Sequence, residues 1–193
     1  MRRAHRMAFG AEHREGATRF ALWAPGCGRV ELQLGRDAPR AVPMDAAGDG
    51  GHSVTLDAPP GEAYAFRVGD GLVVPDPASR ANPWDVSGPS VVVDPLAFEW
   101  SDGRWKGRPW REAVVYELHV GTFTPLGTFA AAIARLDYLV DLGVTAVELM
   151  PVADFPGRRG WGYDGVLLFA PDAAYGSPED LKRFVDEAHR RGL

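Results

Sequence analysis

The hydrophobic pattern of this chain changes period close to residue 100, and that change limits its possible folds more than any other feature. From Phe9 to about Val93 apolar residues recur at every second position. In RVELQLG, Val30, Leu32 and Leu34 oppose Glu31 and Gln33. In TRFALWAP, Phe20 and Leu22 share one face, leaving Thr18, Ala21 and Trp23 to the other. Val54 and Leu56, then Tyr64, Phe66 and Val68, repeat the theme, with Gly, Pro and Asp punctuating the segments. A period of two marks half-buried strands, and no helical stripe interrupts it. The pattern predicts an antiparallel, immunoglobulin-like β-sandwich over residues 1–95, with Trp23 in its core.

After Trp110 the pattern becomes that of a βαβ unit. VVYELHV (Val114–Val120) and TAVELMPV (Thr145–Val152) read as strands buried on both faces, with Glu117 and Glu148 structural inside them. Between them Thr128 can cap a helix whose stripe is Phe129, Ile133, Leu136 and Val140, and Gly143 stands where a helix stop belongs. Strand, helix and strand in so short a span predict parallel pairing with a right-handed crossover. Ser177-Pro-Glu-Asp180 opens a second helix with stripe Leu181, Phe184, Val185 and Ala188, closed by Gly192. From Val74 to Trp110 Pro, Gly, Ser and Asp leave little regular structure beyond a short strand at Val91–Val93. Trp84, Phe98, Trp100, Trp105 and Trp110 make this stretch unlike a free linker. Residues 96–110 are predicted to be a connector packed across both parts, with the tryptophans as its anchors.

Composition removes several function classes. The net charge of −5 argues against a nucleic-acid partner. Arg2, Arg3 and Arg6 read as a solvated end, and no apolar segment follows them as in a signal peptide. No run approaches the ~18 apolar residues of a membrane span, so no membrane partner is expected. Cys27 is the only cysteine, which excludes an intramolecular disulfide and cysteine-based metal clusters. Cytoplasmic localisation is the expectation.

The stretch from Asp154 to Gly176 is much longer than the two to six residues typical of a strand-to-helix loop. Loops after the C-terminal ends of parallel strands are where α/β proteins bind ligands. This one carries Trp161, Tyr163, Phe169 and Tyr175 with Asp154, Asp164, Asp172, Arg158 and Arg159. Aromatic faces suit the C–H faces of sugars, and carboxylates and guanidinium forks suit their hydroxyls. A structured excursion whose aromatics simply pack is the alternative.

Four stretches carry a family resemblance: DPASRANP (Asp76–Pro83), VVYELHVGTFTPLGTF (Val114–Phe129), VTAVELMPVADFPG (Val144–Gly157) and Arg159–Leu193. Together they resemble the α-amylase superfamily of glycoside hydrolases, glycoside hydrolase family 13. ELHVGTFTP and DFPGRRGWGYDG are more similar to its trehalohydrolase branch than to its glycogen-branching and debranching relatives. The resemblance implies a multidomain chain: the β-sandwich, then the first βα units of a (β/α)8 barrel in residues 111–193. It implies hydrolysis of the α-1,4 bond beside the terminal trehalose of maltooligosyltrehalose, releasing trehalose. The implied partner is a maltooligosaccharide or α-glucan, and no cofactor is implied; some relatives bind calcium, but the sequence shows no ligand cluster for a metal. By this resemblance Tyr163 matches a tyrosine that stacks on the sugar at the cleavage point, and Asp164 and Trp161 shape that pocket. His119, at the end of the first strand, joins the substrate-site residues, more as a brace than as a contact.

No catalytic residue is assigned. A retaining glycosidase needs an aspartate nucleophile and a glutamate acid/base about 5–5.5 Å apart, and the family carries them on later strands. A barrel takes about 250 residues, far more than follow Trp110. The chain is therefore expected to be an N-terminal portion, inactive alone. Its Val114–Leu193 part is expected to be only marginally stable by itself, whereas the sandwich folds independently. Two other readings remain: a branching or debranching enzyme on the same scaffold, and a non-catalytic glucan-binding module.

Overall fold

Alternating strands dominate the first half, as their period requires. The structure, a computed structural model, describes residues 6–193, so Arg2 and Arg3 lie outside the described residues; Arg6 is exposed. The strands are β1 (Gly10–Arg14), β2 (Ala17–Trp23), β3 (Val30–Leu34), β4 (Arg40–Pro43), β5 (Asp45–Ala46), β6 (Gly51–Leu56), β7 (Ala63–Val68), β8 (Leu72–Val74) and β9 (Ser90–Val91). They form two antiparallel sheets, ordered β1-β2-β6-β5 and β4-β3-β7-β8, with β9 also paired to β7. Phe20 and Leu22 from one sheet and Val30, Leu32, Leu34, Tyr64 and Phe66 from the other bury one shared core. Tyr64 sits edge-on to Phe20 at 4.9 Å and to Phe66 at 5.9 Å between ring centres, a favoured aromatic geometry.

Three sequence expectations change here. Thr18 faces inward with Phe20 and Leu22, as its position two and four residues before them demands, and its hydroxyl donates to Ala58 O at 2.6 Å. Trp23 is not core: it is 58% exposed at the strand end, its indole N–H donating to Asp49 O at 3.1 Å. Glu31 and Gln33 lie opposite the apolar residues of β3 yet are buried, because Arg67 on the neighbouring strand covers both. Its guanidinium reaches Glu31 Oε2 at 3.3 Å and Gln33 Oε1 at 3.0 Å.

The DPASRANP segment folds as a buried polar knot. Tyr64 donates to Asp76 Oδ2 at 2.7 Å, and Ser79 and Ser90 both donate to Asn82 Oδ1, at 2.9 and 3.0 Å. The Asn82 amide in turn donates to Asp85 O and Gly88 O, fixing Asp85 in a left-handed conformation at φ +70°. Burial pushes the Asp76 carboxyl up to about 6, although the bonds from Tyr64 and Ala78 N–H pull the other way. A folded-state value above the unfolded one means that this group favours the fold at low pH. Its contribution is complete below about pH 4 and is lost as pH rises through about 6. Thermal melts across that range should show the wild type losing stability relative to Asp76→Asn; a pH-independent difference would rule this out.

The second half is built on β10 (Val115–Leu118) and β11 (Ala146–Leu149), which pair in parallel. Between them lie α1 (Val120–Phe123), α2 (Phe129–Ile133) and α3 (Leu136–Asp141). The Thr128 hydroxyl accepts from Ala131 N at 3.2 Å, and Gly143 takes φ +89° after the last helix, both as predicted. The single helix is instead broken at Ala134–Arg135, and its buried residues are Phe129, Ala132, Leu136 and Leu139. Val140 is 39% exposed. Counting Ala132 as apolar gives a three-four-three spacing, which describes the buried face correctly.

The two parallel strands are covered on one face only. Tyr116, Leu118, Val147 and Leu149 pack against the helices, whereas Val115 is 45% exposed and Glu117 and Glu148, paired in register, are both exposed. Among the described residues no second layer covers that face, so the reading of strands buried on both sides does not hold.

Beyond β11 a short hairpin, β12 (Ala153–Asp154) with β13 (Leu167–Pro171), leads to α4 (Pro178–Arg190). Ser177 and Asp180 close a reciprocal capping box, Phe184 and Ala188 are buried, and Leu181 packs on the same core. The connector runs along α4. The Ser101 N–H and hydroxyl both donate to the Asp186 carboxylate, His189 Nδ1 lies 2.8 Å from Asp102 Oδ2, and Trp105 stacks on His189 at 4.9 Å. Trp110, 84% exposed, anchors nothing in the described residues' core, and Trp84 instead lies under the Arg36 guanidinium at 4.7 Å. No helix among the described residues is long and apolar enough to cross a membrane.

Candidate functional site

The excursion after β11 is a hairpin whose tip, residues 155–166, carries the predicted sugar-binding side chains. Backbone bonds fix its base: Asp172 N to Val152 O at 2.8 Å and Val166 N to Asp154 O at 2.9 Å. Phe155 is buried beneath the tip, and Gly160 lies directly on its ring, where an added Cβ would meet Phe155 Cδ2 at 3.0 Å. Gly162 is more constrained. It has φ +92°, and a Cβ there would fall 2.2 Å from Pro151 O. The main chain is therefore pressed onto Pro151, in the link that follows β11, and the residues on either side of Gly162 are turned outward. Trp161 is 77% exposed and Tyr163 69%. Asp164, Arg158 and Arg159 are also exposed. The tip presents two aromatic faces, one carboxylate and two guanidinium groups to solvent on a backbone held by close packing.

His119 lies under this tip. Its Nε2 is 2.8 Å from Gly160 O. A carbonyl can only accept, so Nε2 carries the hydrogen. The Tyr175 hydroxyl is 3.3 Å from the same nitrogen, and the two rings meet edge-on at 5.9 Å. The imidazole thus ties the loop backbone to the end of the first parallel strand, while Trp161, Tyr163 and Asp164 are all exposed to solvent.

The other acids of the excursion face inward. Asp154 and Asp172 are buried, at 1% and 2% exposure. Asp172 accepts from Phe155 N at 3.2 Å and from Ala174 N at 2.7 Å. Asp154 Oδ2 is buried with no hydrogen-bond donor. Burial first, then the Asp172 and Asp85 charges, push the Asp154 carboxyl up to about 7. Burial also raises Asp172, against the pull of its two backbone N–H bonds, and burial beside Asp172 raises the Tyr175 phenol. Neither buried acid is positioned to touch a ligand on the outer surface, and Tyr175, 3% exposed, is core. Phe169 on β13 is 59% exposed.

Sequence reasoning missed Asp85. Its Oδ2 accepts from Gly157 N at 3.0 Å, so the segment after the polar knot reaches across to the tip. Seventy-two residues separate the partners, and no spacing or motif in the chain links them. Among the described residues no group of three or more His, Cys, Asp or Glu side chains is arranged to hold a metal ion.

A family model described as Alpha amylase, catalytic domain, matches residues 91–193. The malto-oligosyltrehalose trehalohydrolase of Deinococcus radiodurans is 47% identical over 176 residues, covering 91% of this chain and 29% of its own length. The enzyme of that name from Saccharolobus solfataricus is 43% identical, covering 97% and 33%. A crystal structure titled as a putative alpha amylase from Salmonella typhimurium superposes with a TM-score of 0.93 at 53% identity, over 98% of this chain and 32% of that one. The chain spans about a third of the length of the relatives it matches.

Proposed function

Because this chain belongs to the alpha-amylase family of glycoside hydrolases, we propose that its exposed hairpin tip receives the saccharide of a trehalohydrolase. The reaction is hydrolysis of the α-1,4 bond beside the terminal trehalose of maltooligosyltrehalose. Residues 1–95 are then the immunoglobulin-like sandwich, 96–110 the connector, and 111–193 the opening βα units of a (β/α)8 barrel in a cytoplasmic enzyme. The substrate comes from the names of the relatives; the site comes from the tip itself. The observation that carries the reading is the outward display of Trp161 and Tyr163 on either side of a glycine whose backbone is wedged against Pro151. Residues with no packing duty and large apolar faces suit a sugar ring, and Asp164 beside them can accept from its hydroxyls. His119 braces the platform through Gly160.

The acids of the hairpin are not arranged for the chemistry. Retaining hydrolysis needs two carboxyls about 5–5.5 Å apart across the scissile bond. Here Asp154 and Asp172 are turned into the protein and Asp164 stands apart from them. On this reading the 193-residue chain binds the saccharide without cleaving it. Titrating it with maltotriosyltrehalose by saturation-transfer NMR should give binding that Tyr163→Ala and Trp161→Ala each weaken about tenfold or more, roughly 1.4 kcal/mol. Amide shifts of β2, β3 and β7 should stay in place, and no trehalose should accumulate. Binding that neither substitution weakens would remove the tip from the site. Equal affinity for plain maltopentaose would favour a branching or debranching role.

A further inference from the structure

We propose that Asp154 and Asp172 share a single proton and, with Asp85 reaching over from the polar knot, form a clamp that positions the hairpin tip; Asp85 and Asp154 are thus positioning residues. The tip's importance rests on the functional reading above, but the clamp itself rests on geometry. Asp154 Oδ2 is fully enclosed and meets no donor, and the Asp172 carboxyl, whose Oδ2 takes the N–H of the adjoining Phe155, is the nearest acid acting on it. The Asp172 oxygens are committed to the N–H groups of Phe155 and Ala174, so Asp172 is the natural anion of the pair. One proton on Asp154, donated to Asp172, satisfies the orphan oxygen. Two ionised carboxylates would leave uncompensated charge in a buried site.

Asp85 completes the arrangement. Its Oδ1 takes the Val86 N–H at 2.7 Å and its Oδ2 the Gly157 N–H at 3.0 Å, which pins the first turn of the tip two residues past Phe155. Its negative charge also disfavours ionising Asp154. The remaining polar groups around the pair are few. Tyr175 is near Asp172 from the turn before α4, and His119 Nε2 at the end of β10 lies 3.3 Å from the Tyr175 hydroxyl. Arg158 and Arg159 on the tip are exposed. Among the described residues no ion pair includes Asp85, Asp154 or Asp172. Removing the shared proton therefore places like charges beside the Phe155 N–H with no ion-pair partner among the described residues, and the tip loosens.

The sign follows from the closed-state value of about 7 for Asp154 against about 4 for an open, solvated aspartate. Closure is fully favoured below about pH 4 and weakens as pH rises through about 7. The test uses the whole chain: carboxyl 13C titration of its aspartates, with amide exchange at Gly157 and Gly160. Amides of β2 and β6 serve as the control for global unfolding. Asp154 should titrate near neutrality, and the Gly157 opening constant, corrected for intrinsic exchange, should rise about tenfold or more from pH 5 to 8. Asp154→Asn keeps a donor toward Asp172 and should hold the tip closed across that range. Asp85→Asn keeps an acceptor for Gly157 but loses the charge, so the Asp154 midpoint should fall while Gly157 protection stays. Asp85→Ala should lose both. An ordinary Asp154 titration, a pH-dependent opening that survives Asp154→Asn, or undiminished Gly157 protection in Asp85→Ala would each overturn the clamp. None of these readouts involves a sugar. A normal clamp titration without maltotriosyltrehalose binding would count against the functional reading alone.

Discussion

Phe129→Ala should destabilise the second core by about 3–5 kcal/mol, the range for removing a fully buried phenylalanine side chain. Phe129 is wholly inaccessible to solvent and opens α2 directly after its Thr128 cap. Its backbone N–H donates to Tyr175 O at 2.9 Å, and its ring meets Tyr175 edge-on at 6.0 Å. An added Cβ on Gly176 would come within 3.3 Å of the same ring, so there is no slack for the surroundings to close over a void. The damage should also be directional. Tyr175 is edge-on to Phe155 at 5.8 Å and to His119 at 5.9 Å, which makes Phe129 the inner member of the ring cluster under the hairpin tip. Native-state amide exchange should show β10, α2, α4 and the tip opening more readily while β2, β3 and β7 keep their protection. Equal loss in both cores would mean that they unfold as one unit. A loss below about 1 kcal/mol would contradict the packing around this ring.

How far the sequence discloses such a cluster differs from element to element. The strands of the first core follow directly from period-two patterning because each needs only its own alternation. The Ser177 capping box is equally local. Cover is not local, and it is where the readings of Val114–Val120 and Thr145–Val152 exceeded the structure. Apolar runs such as VVY and AVELM state that a face wants burying, not that this stretch of chain buries it. Trp23 and Trp110 are the same case in single residues. The α2–α3 face was within reach of the sequence: the stripe through Val140 ignored Ala132, and a small residue on a buried face carries the register as well as a large one. At the candidate site the aromatic display at Trp161 and Tyr163 was visible as composition, but the direction of each acid was not. Asp154, Asp164 and Asp172 look alike in sequence. Only the hairpin pairing sends two of them inward and one out, and only the tertiary fold brings Asp85 to Gly157.

Gly162→Ala should abolish saccharide binding while leaving both cores intact. Two independent costs fall on the same atom. A left-handed φ of +92° costs an L-residue roughly 1–3 kcal/mol. The added Cβ would also have to occupy space 2.2 Å from Pro151 O, a main-chain atom in the short link between β11 and β12 that cannot rotate away. The tip must therefore lift from Pro151, and Trp161 and Tyr163 move with it because they flank the substituted residue. Gly160 O would leave His119 Nε2, so the imidazole should lose its bond and its environment. The prediction is checked by pairing two measurements on Gly162→Ala: maltotriosyltrehalose titration and the 15N shift of the His119 ring. Loss of binding together with a shifted Nε2 resonance is the expected pair. Binding retained with an unmoved His119 would mean that the tip accommodates a side chain at residue 162, and that its close seating on Pro151 is not what holds the two aromatic faces in place. Gly157→Ala serves as the comparison, because a Cβ there would meet nothing within 4 Å and only the φ of +85° would oppose it. Its effect should be the backbone part alone, a partial loss of affinity with His119 still bonded to Gly160, which separates the conformational cost from the collision.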